Sequence, residues 1–270
     1  RYRMNVRIEE SFELLSQQEW DDFLAVNYFD NMIIDGSKFG IIDDFIGSIG
    51  KPKLPEIIQQ HNNKIGDCKI TYCFCRHYYD RGIPDDPWYS SPGENGESIQ
   101  YFPYFKKEHW MRKYWFTYFF DTYYLKMSAV WDSIVELLNY YYGLEYGSDY
   151  RLKSNVLKWL KDNQKNLYDE LDALRKDKIF QDANKYRTAV AHGISENEIH
   201  NTILEEKNVT ATFPKIDEKG NVVFKEVKGK RISATAGEYT NVKTIMDNMQ
   251  DYAVLSGNEI QKIISIILAK

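Results

Sequence analysis

The sequence predicts a mainly α protein: a helical bundle carrying a β-hairpin insertion, with a mixed α/β region at its N-terminal side. Three observations predict it. Apolar side chains recur at three- and four-residue intervals through most of residues 108–270, the period of one helix face. Glycines at Gly143 and Gly193 close two of these periodic stretches, as glycine commonly does at a helix end. Between the last two stretches the period changes to alternation, the mark of strands.

The elements follow in order. Ser16-Gln17-Gln18-Glu19 has capping-box spacing, so a helix is predicted over residues 20–34. Ser37 is the candidate cap of a short helix through residue 49, and Pro55 suits the first turn of another reaching residue 62. Residues 69–79 are rich in β-branched and aromatic side chains and read as a strand. Proline and glycine crowd residues 82–96, which predicts a long loop and a boundary between residues 1–105 and 106–270. The first long helix runs from Glu108 to Gly143, with Phe116, Phe120, Tyr123, Met127, Trp131, Ile134, Leu138 and Tyr141 on its apolar stripe. A second spans residues 154–174, with Val156, Leu160, Leu167, Leu171 and Leu174 inward. A third spans residues 177–192, with Ile179, Ala183, Tyr186 and Val190 inward. Alternating residues 209–213 and 222–227 predict a hairpin, an insertion at about residues 205–230. The last helix covers residues 241–268, and Gly257 within it predicts a kink or a close contact.

Composition narrows the function classes. The 270 residues carry a formal net charge of −5, so no global positive field draws the chain to nucleic acid, and any RNA must be held by a local site. Aromatic residues make up 15% of the chain, more than a core absorbs, which favours interfaces and self-association. No run of about 18 apolar residues is present, so no membrane span is expected. Arg1-Tyr2-Arg3-Met4 is followed by no apolar signal region, and a cytoplasmic location is expected. The three cysteines, an odd number crowded between Cys68 and Cys75, fit a reducing compartment rather than a disulfide framework.

The stretch with the most chemistry is Arg187-Thr188-Ala189-Val190-Ala191-His192, closed by Gly193. Arginine offers a permanent cation whose planar fork suits phosphate. Histidine gives and takes protons near neutral pH. Five residues of helix set their side chains about 140° apart, so either both flank one groove or the helix loosens at its end. The plain reading is that basic residues stabilise a helix C-terminus. On the first long helix Asp121, Ser128, Asp132 and Asn139 fall within roughly 20° of one line. Asp121 and Asp132 are therefore candidates to orient His192 or pair with Arg187, against the alternative of a solvated face.

A long helix, a second, a third ending in Arg-x4-His, and a fourth resemble the HEPN superfamily of α-helical bundles over residues 108–270. The resemblance implies a homodimer whose two motifs face each other. It also implies kinship with metal-independent ribonucleases of toxin–antitoxin and defence systems, for which a cognate antitoxin or partner protein is expected. Arg187 would then stabilise charge on a phosphoryl oxygen while His192 moves the proton. The attacking group would be a ribose 2′-hydroxyl, which restricts the substrate to RNA. The position after the motif arginine is usually polar, often asparagine, in this family; Thr188 keeps a hydroxyl there and lacks the amide. The expected function is a metal-independent endoribonuclease or ribonuclease-like toxin. The alternative is a non-catalytic module binding a nucleotide, RNA or a partner protein, and a third reading has the pair merely capping a helix. No cofactor is expected.

Two further clusters are candidates. Lys106, Lys107, Arg112 and Lys113, with His109 and interleaved with Trp110 and Tyr114, can hold an RNA backbone or form a solvated face. Cys68, Cys73, Cys75 and His77 bring soft ligands together, but the paired C-x2-C spacing of structural zinc sites is absent, and buried core thiols are expected instead. Arg76, His77, Asp80 and Arg81 read as the polar end of the expected strand, with a nucleotide or partner contact as the alternative.

Overall fold

The computed structural model describes residues 12–26, 28–40, 53–86, 88–93, 96–100, 102, 104–193, 195–198, 201–216, 220–236 and 239–269. The protein is mainly α. Helix α1 (Gln17–Ala25) begins with the expected capping box: Ser16 Oγ accepts from the Glu19 amide at 3.2 Å, and Glu19 Oε2 accepts from the Ser16 amide at 2.9 Å. It stops well before residue 34. Val26 turns extended, and two single-turn 3-10 segments follow, Asp30–Met32 and Gly36–Phe39. The turns plunge Phe29 and Met32 into the core, which a continued helix would not allow. Asp35 rather than Ser37 caps the second turn, and residues 41–49 of the expected short helix lie outside the described residues.

Helix α2 (Leu54–Asp80) carries the largest correction. Pro55 sits at its first turn as expected, but the helix continues through residues 69–79, where a strand was predicted. Tertiary packing overrides local β preference here: Leu54, Ile58, His61, Ile65, Cys68, Tyr72 and Cys75 are all buried at alternating four- and three-residue steps. The loop predicted after it holds a two-stranded antiparallel hairpin, β1 (Trp88–Gly93) and β2 (Gly96–Gln100), paired from Trp88↔Gln100 to Gly93↔Gly96.

Helix α3 (Lys107–Tyr141) buries Phe116, Phe120, Tyr123, Met127, Trp131, Ile134 and Leu138, as its stripe predicts. It ends where Gly143 adopts φ 63° and the Leu144 amide donates to the Asn139 carbonyl at 2.9 Å, a glycine-closed helix end. The expected second helix is two, α4 (Leu152–Asn163) and α5 (Lys165–Lys176), broken at Gln164 with φ −141° and ψ 62°. The break lets Leu160 and Leu167 both reach the core. Helix α6 (Lys178–His192) is capped by Asp177, whose Oδ1 accepts from the amides of Ile179 (2.8 Å) and Phe180 (3.3 Å). Its inward face starts at Phe180; Ile179, expected inward, is exposed. Helix α7 (Val242–Leu268) runs uninterrupted through Gly257. The close contact predicted there exists: a Cβ on Gly257 would lie 2.9 Å from the Asn31 Cβ.

Side-chain contacts fix the helix directions. Cys75 Sγ donates to the Phe116 carbonyl, while His61 meets Ser133 at 2.8 Å, so α2 and α3 are antiparallel. Tyr123 OH donates to the Met249 carbonyl at 2.9 Å and Trp131 Nε1 to Ser256 Oγ at 3.3 Å, so α3 and α7 run parallel. Trp131 packs on Phe180 and Phe120 on Tyr186, which makes α6 antiparallel to both. On the surface, Lys165, Lys176, Lys178 and Lys243 are each tied to an aspartate four residues away. Among the described residues no helix is long and apolar enough to cross a membrane.

The chain forms two compact units, Arg1–Ser195 with Asn241–Lys270, and Glu196–Thr240. The second carries the predicted hairpin, longer than expected: β3 (Asn201–Ile216) and β4 (Val222–Ala236) pair antiparallel from Asn201↔Ala236 to Ile216↔Val222, with an irregularity between Glu206 and Val209. At its root the Thr240 amide donates to the Glu196 carbonyl at 2.9 Å.

Candidate functional site

The candidate site is the C-terminal end of α6. Tyr186 anchors it: its ring lies 5.8 Å from Phe120 and 5.1 Å from Tyr124, and its hydroxyl accepts from Asn248 Nδ2 at 2.8 Å. The helix is thereby pinned to α3 and α7. Arg187, the next residue, is half-buried, and its Nε is enclosed without a hydrogen-bond partner. Among the described residues its guanidinium makes no ion pair either. Thr188 and His192 are exposed. The helix stays regular through His192, and Gly193 caps it at φ −143° with its amide on the Ala189 carbonyl at 2.7 Å. The helix therefore does not loosen at its end, and the two side chains leave it about 140° apart.

The two aspartates on one line of α3 part company. Asp121 is half-buried and accepts from Ser195 Oγ at 2.8 Å, which ties the chain just beyond the motif to α3. Asp132 is exposed and neighbours Trp131, whose ring lies 5.5 Å from Phe180 at the start of α6. The structure thus brings Asp121 to the motif's end of the bundle and Asp132 to the other end.

The basic cluster divides likewise. Lys106 and Lys107 are exposed. Arg112 Nη1 donates to the carbonyls of Arg81 (2.5 Å) and Gly82 (3.3 Å) at the end of α2. Lys113 is buried, with Nζ 5.5 Å from the Phe102 ring centre.

The sulfur cluster is a core feature on a helix. Cys68, Cys73 and Cys75 are free and buried. Burial pushes all three thiols up, Cys73 to about 12, so they stay protonated. Among the described residues no three His, Cys, Asp or Glu side chains gather closely enough to hold a metal ion. His77 belongs instead to an ion-pair network against α1: its Nδ1 lies 3.2 Å from Glu19 Oε1, and Arg81 reaches Glu13 at 2.7 Å and Glu19 at 2.9 Å. The Ser16 amide, with Arg81 and His77, holds the Glu19 carboxyl down at about 2, while burial and Arg81 lower His77.

One polar group escaped the sequence reading. Lys262 Nζ bridges Glu259 (2.5 Å) and Glu170 (3.2 Å) in an open groove of about 690 Å³. Glu259 and Lys262 stand three apart on α7, a spacing that signals neighbours; Glu170, from α5, could be joined to them only by the fold. The groove is far along α7 from Asn248, the residue that meets Tyr186, and so lies away from the motif.

A family model described as HEPN_Cthe2314-like HEPN matches residues 58–261. The chain belongs to this HEPN family. The match takes in α2 from its second turn, so the resemblance read from residues 108–270 extends further toward the N-terminus. It spans all of α6 and therefore both residues of the Arg-x4-His motif. No curated protein and no solved structure matches this HEPN chain.

Proposed function

We propose that this HEPN module is a metal-independent endoribonuclease of the toxin or defence kind, acting as a homodimer in which two Arg187–His192 pairs share one cleft. The observation that carries the reading is Arg187. Arg187 is half-buried with its Nε enclosed, and its guanidinium has no ion pair or hydrogen bond among the described residues, so its fork is open to an anion of matching geometry. A phosphodiester is such an anion, and His192 stands exposed five residues further along the helix.

In this reading the ribose 2′-oxygen attacks the adjacent phosphorus and the bond to the 5′-oxygen breaks, leaving a cyclic phosphate. His192 of one copy takes the 2′-hydroxyl proton, and His192 of the second copy gives one to the leaving 5′-oxygen. Arg187 stabilises the charge on the non-bridging oxygens. Asp121 supports the site from α3 by holding Ser195 and the chain behind the motif.

A second reading, RNA or nucleotide binding without cutting, is favoured by one observation: His192 has no hydrogen-bonded orienting partner among the described residues. Incubation of the protein with mixed single-stranded RNA in chelator tests both. Cleavage should fall about 10²-fold or more in His192→Ala and similarly in Arg187→Ala, with RNA binding kept in the first and weakened in the second. Parent and double variant cutting at equal rates would sink the nuclease reading. Binding without any cutting would select the second.

A further inference from the structure

We propose that the exposed side of α3 is a base-stacking track for single-stranded RNA that leads unpaired nucleotides to Arg187; it rests on the RNA reading above. At about 100° per residue, Lys107, Trp110, Tyr114, Tyr118 and Leu125 point the same way, opposite the buried Phe116, Tyr123 and Met127. Tyr114 is 50% exposed and Tyr118 54%, with Trp110 at 38%.

These rings are held in place. Tyr114 and Tyr118 each meet Trp115 edge-on, at 5.2 and 5.9 Å between centres, and Trp110 leans on Phe105 at 4.8 Å. A ring that is half exposed yet held by a neighbouring ring suits nucleobase stacking, because part of its ordering cost is already met. The spacing of four residues advances about 6 Å per ring along the helix, giving even steps along a strand.

The charges agree with a polyanion. Lys106 and Lys107 are exposed at the head of the track. The acid on this face nearest α6, Asp121, is engaged by Ser195. Helix α6 flanks the track through the contacts of Tyr186 with Phe120 and Tyr124, which brings Arg187 alongside. Base faces are hidden inside a duplex and open in an unpaired strand, so a track of rings selects single-stranded RNA.

The test is fluorescence anisotropy of a short labelled oligouridylate with the full chain carrying His192→Ala, so that binding is read without cleavage. Tyr114→Leu with Tyr118→Leu keeps apolar bulk and removes the rings; affinity should drop about tenfold or more. Tyr114→Phe with Tyr118→Phe should bind as the parent does, and a duplex of the same sequence should fail to compete. Circular dichroism checks the fold, and Tyr118→Leu alone serves if the pair unfolds. Equal affinity of the leucine and phenylalanine pairs, or no binding by the parent, would overturn the track. So would a leucine pair that changes only the sedimenting mass, since a second copy would then cover the strip. Binding through the rings by a protein that never cuts removes the nuclease reading and leaves the track standing.

Discussion

His61 shows how far a single side chain can tie stability to pH. Its ring is buried between Met32 and Ser133: Nε2 donates to the Met32 carbonyl at 2.9 Å, and Nδ1 lies 2.8 Å from Ser133 Oγ. Burial lowers its pKa from 6.5 to about 4. The unfolded chain therefore takes up the proton first, so the stability from neutral His61 is present above pH 6.5 and is lost as pH falls towards 4. The loss should be about 3 kcal/mol. Urea unfolding of the parent and His61→Gln at neutral and acidic pH checks it: the gap between them should narrow by that amount on acidification. The buried thiols give a second expectation. Cys68, Cys73 and Cys75 should react with a thiol reagent only after denaturation; rapid labelling of the native protein would contradict their burial.

Helices show which signals travel through sequence and which do not. The start of α6 is local, because Asp177 caps it through contacts with residues two and three further on. Asp177→Ala should cost about 1 kcal/mol in thermal unfolding. The nature of residues 69–79 was not legible, because Ile70, Thr71, Tyr72 and Phe74 favour strands until the burial of Cys68, Tyr72 and Cys75 against α3 decides otherwise. Nor was the break at Gln164, where neither glycine nor proline stands. In α7 the constraint is spatial: Gly257 lies under Asn31, so Gly257→Ala gains helix preference of roughly 1 kcal/mol yet must push the Asp30–Met32 turn aside. The clash at 2.9 Å should win, and melting temperature should fall.

At the scale of the molecule, two units share one chain. The excursion between α6 and α7 leaves and returns at one point, through the Thr240–Glu196 hydrogen bond. Replacing residues 198–238 by a short flexible linker should leave the helical circular-dichroism melt close to that of the parent, since loop closure is a weak function of length. The bundle and its Arg-x4-His end were legible because periodicity and a short motif are local. The sorting of Asp121 from Asp132 was not. Both lie on one line of α3, and only the antiparallel course of α6 says which of them neighbours the motif.

The lysine–aspartate pairs along the helices carry a consequence for salt. With Lys165, Lys176, Lys178 and Lys243 each paired within its own helix and a net charge of −5, the chain has no overall excess of cations to displace the ions condensed on a nucleic acid. Each phosphate contacted on a single strand contributes about −0.7 to the slope of log affinity against log salt. A site built on Arg187 and one or two lysines should therefore titrate with a slope of only about −2. Affinity would then survive changes in ionic strength that strip a generally basic protein from its RNA.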